Sequence, residues 1–221
     1  MVKTVIFDWD GTLHNTKALY GNAFRKACAW LKEQGYVLKQ DYYSDEDAAQ
    51  YIGINAKDTW KVFMPDLPEE VSEIPREIIG KSMVDDIYEG KASLYPGALE
   101  VLSKLKEEGY KLAFLSNCRT SYLKAHREYF HLDNYFDRMY ACEDFGWISK
   151  VEIFNTLKNE LPGGYIMVGD RYTDLEVAYA HGLLSIGCAY GFGSEEELKD
   201  ASAKAEDVRD IPKLVKQLSE Q

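Results

Sequence analysis

The chain has 221 residues, 46% of them hydrophobic, enough for one or two domains with a proper core. Its 37 acidic residues outnumber 26 Lys and Arg, for a formal net charge of −11. That balance excludes the basic footprint of a nucleic-acid binder or of a protein held on an anionic membrane, and any anion handled here needs local positive charge or a metal.

Residues 2–8 form a short, apolar, β-branched-rich run, the type of strand buried on both faces of a parallel sheet. Asn15 or Thr16 is then placed as N-cap of a helix over 17–34. Leu19, Ala23, Ala27, Trp30 and Leu31 fall on one stripe of that helix, and Gly35 is its stop. Residues 36–90 keep helical chemistry. Ser44 followed by Glu46-Asp47 marks a capped start, Pro65 and Pro68 bracket a break, and 69–88 holds one or two helices around Pro75. Between 17 and 90 no strand alternation is convincing.

After Gly90 the character changes. Pro96-Gly97 opens a helix carrying Leu99, Leu102 and Leu105, closed by Gly109. A strand over 111–115 runs into Ser116-Asn117, and a helix follows over 120–130. A strand near 138–142, a helix over 152–161 and a strand over 165–168 ending in Gly169-Asp170 come next. Then come a helix over 173–181, a strand over 184–188, a short acidic helix from Glu195 and a C-terminal helix from Ile211. This alternation predicts an α/β fold, a Rossmann-like parallel sheet covered on both faces in three layers. The expected division is a core of residues 1–14 and 90–221 with an inserted all-helical cap domain over 15–89. Cys28, Cys118, Cys142 and Cys188 are far apart without a C-x-x-C pair, which suggests no disulfide framework or zinc site and suits a reducing cytosol. The first residues lack a secretory pattern and no apolar run nears the ~18 residues of a membrane span, so a cytoplasmic location is expected.

Three strand ends carry polar groups. Asp8 and Asp10 flank Trp9 and precede Gly11, where the backbone can turn tightly. If strand geometry persists, the two carboxylates point the same way. Close carboxylates resist joint ionisation, which makes sense with a cation between them or a proton on one; the same residues also make an ordinary strand-ending turn. Ser116-Asn117 ends a second strand and can bind an anion through its hydroxyl and amides, or simply cap a loop. Asp170 ends a third, four residues before Asp174, which also suits the first turn of a helix as a dipole partner. Hard carboxylate oxygens with space for waters suit Mg²⁺. Lys150 stands alone at a helix start, where lysine is ordinarily surface, yet it is placed to reach the carboxylates. Ligands bind at the carboxyl ends of strands, and a helical block inserted just after Asp10 hangs over that end as a lid.

Together, Ile6-Phe7-Asp8-Trp9-Asp10-Gly11-Thr12-Leu13, Leu115-Ser116-Asn117, Lys150 and Val168-Gly169-Asp170-Arg171-Tyr172-Thr173-Asp174 resemble the four motifs of the haloacid-dehalogenase-like hydrolase superfamily in order and spacing. The resemblance covers the core, and the helical insertion resembles the family's cap. Leu94-Tyr95-Pro96-Gly97 and Tyr190-Gly191-Phe192-Gly193-Ser194-Glu195-Glu196-Glu197-Leu198 are similar to the phosphoglycolate-phosphatase-like branch. The resemblance implies a Mg²⁺-dependent phosphatase acting on a small phosphorylated metabolite. Asp8 would attack phosphorus and form an aspartyl-phosphate. Asp10 would protonate the leaving oxygen and then take a proton from water. Asp8, the Asp10 carbonyl, Asp170 and Asp174, the last directly or through water, would bind the metal. Thr12 and Ser116, with Asn117 beside it, would hold phosphoryl oxygens, and Lys150 would balance charge.

The chain departs from the family pattern at four places. Val151-Glu152-Ile153 follows Lys150 where many relatives carry proline. Trp9 replaces a smaller apolar residue and is placed to shape the pocket wall; Asn15 replaces a common Asp; Arg171 replaces a small residue and is expected to bear on cap or substrate. Arg25, Lys57, Arg76 and His14 are candidate substrate selectors, with solvated surface the simpler expectation for each. Alternative functions are a sugar phosphomutase, a phosphonate hydrolase, or a catalytically silent phosphate-binding regulatory protein. Asp10 speaks against a dehalogenase, which needs no acid there. Monomer and homodimer are both left open.

Overall fold

The computed structural model describes residues 2–54 and 56–220, the side chains of Ala56 and Lys57 excepted. Its centre is strand β1 (Thr4–Phe7), buried at every position as its apolar run requires. Helices α1 (Lys17–Glu33), α2 (Asp45–Ala49), α3 (Ala56–Phe63) and α4 (Glu69–Tyr88) follow, then α5 (Ala98–Glu107) and β2 (Lys111–Ser116). The rest alternates: α6 (Thr120–Tyr129), β3 (Arg138–Ala141), α7 (Lys150–Glu160), β4 (Tyr165–Gly169), α8 (Tyr172–His181), β5 (Leu184–Cys188), β6 (Ala203–Ala205) and α9 (Ile211–Ser219).

The strands form one parallel sheet in the order β3-β2-β1-β4-β5-β6. The chain leaves β1 toward one edge and returns to β4 on the other side, so the switch in direction falls at β1, where open parallel sheets bind ligands. Phe7 lies level with Phe114 and Val168, which brings the ends of β1, β2 and β4 out side by side. Alternate strand residues feed two apolar layers. Val5, Phe7, Leu112, Phe114, Ile166 and Val168 pack with α5, α6 and α9; Ile6, Ala113, Leu115 and Met167 pack with α7 and α8. These are the three layers expected of the α/β core.

The helical insertion has an apolar cluster of its own. Phe24 of α1 is fully buried among Tyr43, Trp60 and Phe63, with ring centroids 5.5, 6.2 and 4.9 Å away. Leu19 and Ala23 of α1 and Met83 and Ile87 of α4 instead join the layer beneath the sheet's neighbours, so the insertion is packed onto the core. Ser44 caps α2 in a capping box with Asp47. Residues 69–88 form one helix, with Pro75 inside it at the loss of one backbone hydrogen bond.

Two local expectations fail. The acidic helix from Glu195 is a series of turns, because Glu197 is drawn toward Arg171 and Tyr172. Beyond it, Ala203–Ala205 forms the edge strand β6, which the sequence hid. Ala-Lys-Ala has little strand propensity, and only pairing with β5 makes it extended. Among the described residues no helix is long and apolar enough to cross a membrane. All four cysteines are buried and free, and burial pushes the Cys28 and Cys142 thiols up to about 12 and about 11.

Candidate active site

The ends of β1 and β4 and the first turn of α8 bring Asp8, Asp170 and Asp174 together, with one oxygen from each lying within 4.8 Å of the others. None is more than 3% exposed. Lys150 reaches in from the start of α7, its Nζ donating to Asp8 Oδ1 and Asp174 Oδ1, both at 2.6 Å. Ser149 and Glu152 fix that start in a capping box, which makes Lys150 the first helical residue. A lysine there opposes the helix dipole, and the two carboxylates offset that.

Two carboxylates of this basin have further ties. Asp174 Oδ2 accepts the Arg171 N–H at 2.9 Å, so helix capping and site membership use different oxygens of one side chain. Asp170 Oδ1 accepts the Thr12 hydroxyl at 3.2 Å, and its Oδ2 accepts the Phe192 N–H at 2.7 Å. Gly11, at φ +87°, lies under Asp170: a Cβ there would sit 2.2 Å from the carboxylate. The Tyr190–Gly193 turn closes the other side, where a Cβ on Gly193 would meet the Asp170 carbonyl at 1.8 Å.

Burial raises Asp8 to about 7; Asp174 adds to the shift and Lys150 opposes it. Asp170 is raised well above the usual carboxylate range by burial, then by Asp174 and Asp8. Burial works against the Lys150 charge, yet Asp174 and Asp8 raise it above its ordinary value. Three carboxylates share one ammonium, so full ionisation leaves two negative charges in excess. The set of hard oxygen donors fits a divalent cation.

Asp10 stands apart. Strand β1 ends at Phe7, and Trp9 O accepts the N–H of Thr12, Leu13 and His14 in a tight turn. The alternation that predicted two parallel carboxylates therefore stops short of them, and they meet different partners. Asp10 Oδ1 accepts the Tyr122 hydroxyl at 2.7 Å, contacts His14 Nδ1 at 3.0 Å and accepts the Thr16 hydroxyl. Thr16 occupies the N-cap position of α1 without a capping bond, its hydroxyl being used here. Trp9 is fully buried and stacks on His14, so its ring backs the site rather than forming the expected pocket wall.

Above Asp10 a pocket opens between the core and the helical insertion. Asp10, Asn117, Arg119 and Tyr122 line it from the core side; Tyr20, Tyr51, Trp60, Arg76, Ile79 and Met83 line it from the insertion. Trp147 is a further wall, held at φ +65°, a conformation of order 1 kcal/mol above the ordinary one for a bulky residue. Thr12 and Ser116 are buried, the first in the turn after β1 and the second at the end of β2. Asn117 donates to the Gly53 carbonyl at 3.2 Å, and Arg171 Nη1 donates to the Ile52 carbonyl at 2.5 Å, so both grip the same insertion loop.

Of the four candidate selectors, Arg25 pairs with Asp45 at 2.7 Å, among residues of the insertion. The Lys57 side chain lies outside the described residues. Arg76 and His14 overturn the solvated-surface expectation. Arg76 is 7% exposed on the pocket wall, and His14 is fully buried against Asp10. Sequence reasoning missed Tyr122, whose helix reads as an amphipathic surface element.

Residues 2–182 match the model of the haloacid dehalogenase-like hydrolase family. The chain is 28% identical over 201 residues to pyrophosphatase PpaX of Listeria innocua, covering 89% of this chain and 88% of that one. It is 29% identical over 196 residues to phosphoglycolate phosphatase of Aquifex aeolicus, covering 86% of each. The fold superposes on a predicted phosphatase from Clostridium acetobutylicum with a TM-score of 0.82, at 24% identity over 98% of this chain and 99% of the other. A predicted phosphoglycolate phosphatase from Haemophilus somnus gives 0.80 at 23% identity over 97% and 98%. These two likenesses concern the fold alone. The ordered carboxylates and lysine, the parallel sheet and the family match agree, and the chain belongs to the haloacid dehalogenase-like hydrolases.

Proposed function

We propose that this hydrolase is a Mg²⁺-dependent phosphatase that cleaves a small-metabolite phosphomonoester through an aspartyl-phosphate. The observation that carries the reading is the separation of two carboxylates two residues apart. Asp8 is paired with Lys150 at 2.6 Å inside the acidic basin, while Asp10 faces the pocket among neutral donors. One surrounding suits an ionised nucleophile and the other a group that exchanges a proton. The names of the two relatives support phosphate chemistry.

In this reading an Asp8 oxygen attacks phosphorus as the bond to the leaving oxygen breaks. Asp10 gives that oxygen a proton. Water then attacks the aspartyl-phosphate, Asp10 takes its proton, and phosphate leaves with Asp8 restored. Lys150 orients Asp8 and favours its ionised form; Thr12, Ser116 and Asn117 hold phosphoryl oxygens. Asp8, Asp170, Asp174 and the Asp10 carbonyl would hold Mg²⁺, which supplies charge neutralisation at the phosphate. Residues 15–89 act as a cap that excludes water and selects the leaving group, over a core of residues 1–14 and 90–221. Arg76 and Arg119 on the pocket wall suit a leaving group that carries its own anion.

The test is Asp8→Asn assayed with an aryl phosphate and Mg²⁺, alongside a panel of small phosphate esters. At least a ~10³-fold loss of kcat is expected. Undiminished turnover refutes the assignment, and transfer to sugar without release of free phosphate favours a phosphomutase.

A further inference from the structure

The hydrogen bonds on Asp10 fall on one oxygen. Tyr122 OH at 2.7 Å, His14 Nδ1 at 3.0 Å and the Thr16 hydroxyl all meet Oδ1. A carboxylate oxygen has two lone pairs, so three donors saturate it. Among the described residues no donor reaches Oδ2, and Asp10 lines the pocket with 16% of its side chain exposed. The two oxygens therefore differ: one is fixed from behind, the other is available to a substrate.

His14 is the unexpected member of this set. It is fully buried, and its Nε2 has no partner, so its one polar interaction network runs through Nδ1. With the ring proton on Nδ1, His14 donates between Asp10 Oδ1 at 3.0 Å and the Thr16 hydroxyl oxygen at 2.7 Å, with the Tyr122 hydroxyl 3.3 Å away, and the buried Nε2 is left as a lone pair rather than an unmatched N–H. The ring cannot swing away. Trp9 stacks on it at 5.9 Å and 16°, and His126 packs edge-on at 4.4 Å. His126 is itself wedged against Tyr122 at 4.4 Å and Phe130 at 5.7 Å. Burial, with His14 beside it, pushes His126 well below its usual range, so this backing is neutral.

We propose that His14 is a positioning residue for Asp10: with Tyr122 and Thr16 it occupies Oδ1, so that the proton exchanged with the leaving group is carried on Oδ2, facing the pocket. The inference rests on the phosphatase reading. In the first half-reaction the Oδ2–H bond breaks as the leaving oxygen takes the proton, and the negative charge left on Asp10 is met by the three donors at Oδ1. In the second, water returns a proton to Oδ2. Trp9 and His126 act through His14 by fixing its ring.

The experiment compares leaving groups. An aryl phosphate such as 4-nitrophenyl phosphate departs without help from an acid, whereas an alkyl phosphate needs a proton. His14→Val and, separately, Tyr122→Phe are assayed for kcat and KM on both, with His14→Asn as the variant that restores a donor near Nδ1. Circular dichroism checks that each folds, and Tyr122→Phe carries the test if His14→Val does not. Expected is a loss of kcat/KM, which reports leaving-group departure and not the later hydrolysis step that both esters share, of about 30-fold or more on the alkyl ester against less than about threefold on the aryl ester. His14→Asn recovers most of the alkyl activity. Equal fractional losses of kcat/KM on both esters, or none on either, overturn the inference while the phosphatase reading stands. A wild-type enzyme that cleaves neither ester, nor any member of the panel, removes both.

Discussion

The two carboxylates of the Asp8-Trp9-Asp10 turn live in opposite surroundings. Asp8 shares a buried basin with two more carboxylates and one ammonium; Asp10 meets two hydroxyls and an imidazole nitrogen, and among the described residues no lysine or arginine pairs with it. Charge pairing commits a carboxylate to its ionised form. Neutral donors fix its place while leaving its protonation free to change. In the phosphatase reading, one turn thus carries both the nucleophile and the group that exchanges a proton.

The sharpest way to break the contrast is to make the basin as poor in cations as the Asp10 side. Lys150→Ala leaves Asp8 and Asp174 buried without their ammonium. We expect about 3–5 kcal/mol of lost stability and at least a ~10³-fold drop in kcat. Urea unfolding with and without Mg²⁺ measures the first, and a divalent ion should recover part of it. A variant as stable as the parent means that the basin does not depend on the lysine.

Gly11→Ala strikes the joint between the two sides. The substitution forces an L-residue into φ +87° and drives a methyl into the Asp170 carboxylate. A loss of about 2–4 kcal/mol is expected, with weaker Mg²⁺ binding by calorimetry. Unchanged metal affinity would show that Asp170 tolerates displacement.

The basin also sets a pH dependence. Burial raises Asp8 to about 7 from the ordinary carboxylate value of 3.8, so between them the folded state binds more protons than the unfolded one. Stability of the metal-free protein therefore falls as pH rises from about 4 through about 7, and is lowest above it. Thermal melts in EDTA should drop by roughly 5 °C across that window, and Mg²⁺ should restore them at pH 8. Melting points flat in pH would contradict the shift. Smaller effects lie in the insertion. Arg76→Gln should raise KM about tenfold with kcat within about twofold, a separation that steady-state kinetics resolves. Ser44→Ala, which removes the α2 cap far from both carboxylates, should cost only ~1 kcal/mol and leave kcat unchanged.

The floor of the site was legible because its chemistry sits at strand ends, where a run of apolar residues stops at a polar one. Asp8, Asp170 and Ser116 all announce themselves in this way. Lys150 did not, being one lysine among 26 basic residues, yet Ser149-x-x-Glu152 already marked the helix start that aims it inward. The Asp10 side was hidden for another reason. His14 precedes Asn15 and Thr16, and Tyr122 lies on a helix with polar neighbours, so both read as surface. They are buried because α4 packs on α6 and the insertion folds over them, a long-range event with no local signature. Arg76 was masked similarly, by Glu73 one turn away. Edge strand β6 was invisible because only its partner makes it a strand.

The grip on residues 52 and 53 has a kinetic consequence. Arg171 is the immediate neighbour of Asp170, Asn117 of Ser116, and both hold carbonyls of one loop. Two hydrogen bonds, each worth on the order of 1 kcal/mol net, are a weak latch that breaks on a timescale short compared with unfolding. The latch is fastened to the residues next to Ser116 and Asp170, so under the phosphatase reading the loop's docking is joined directly to the strand ends proposed to hold phosphate and metal. In that reading, substitutions that remove either hydrogen bond, Asn117→Ala or Arg171→Ala, act on the loop and on the strand end together.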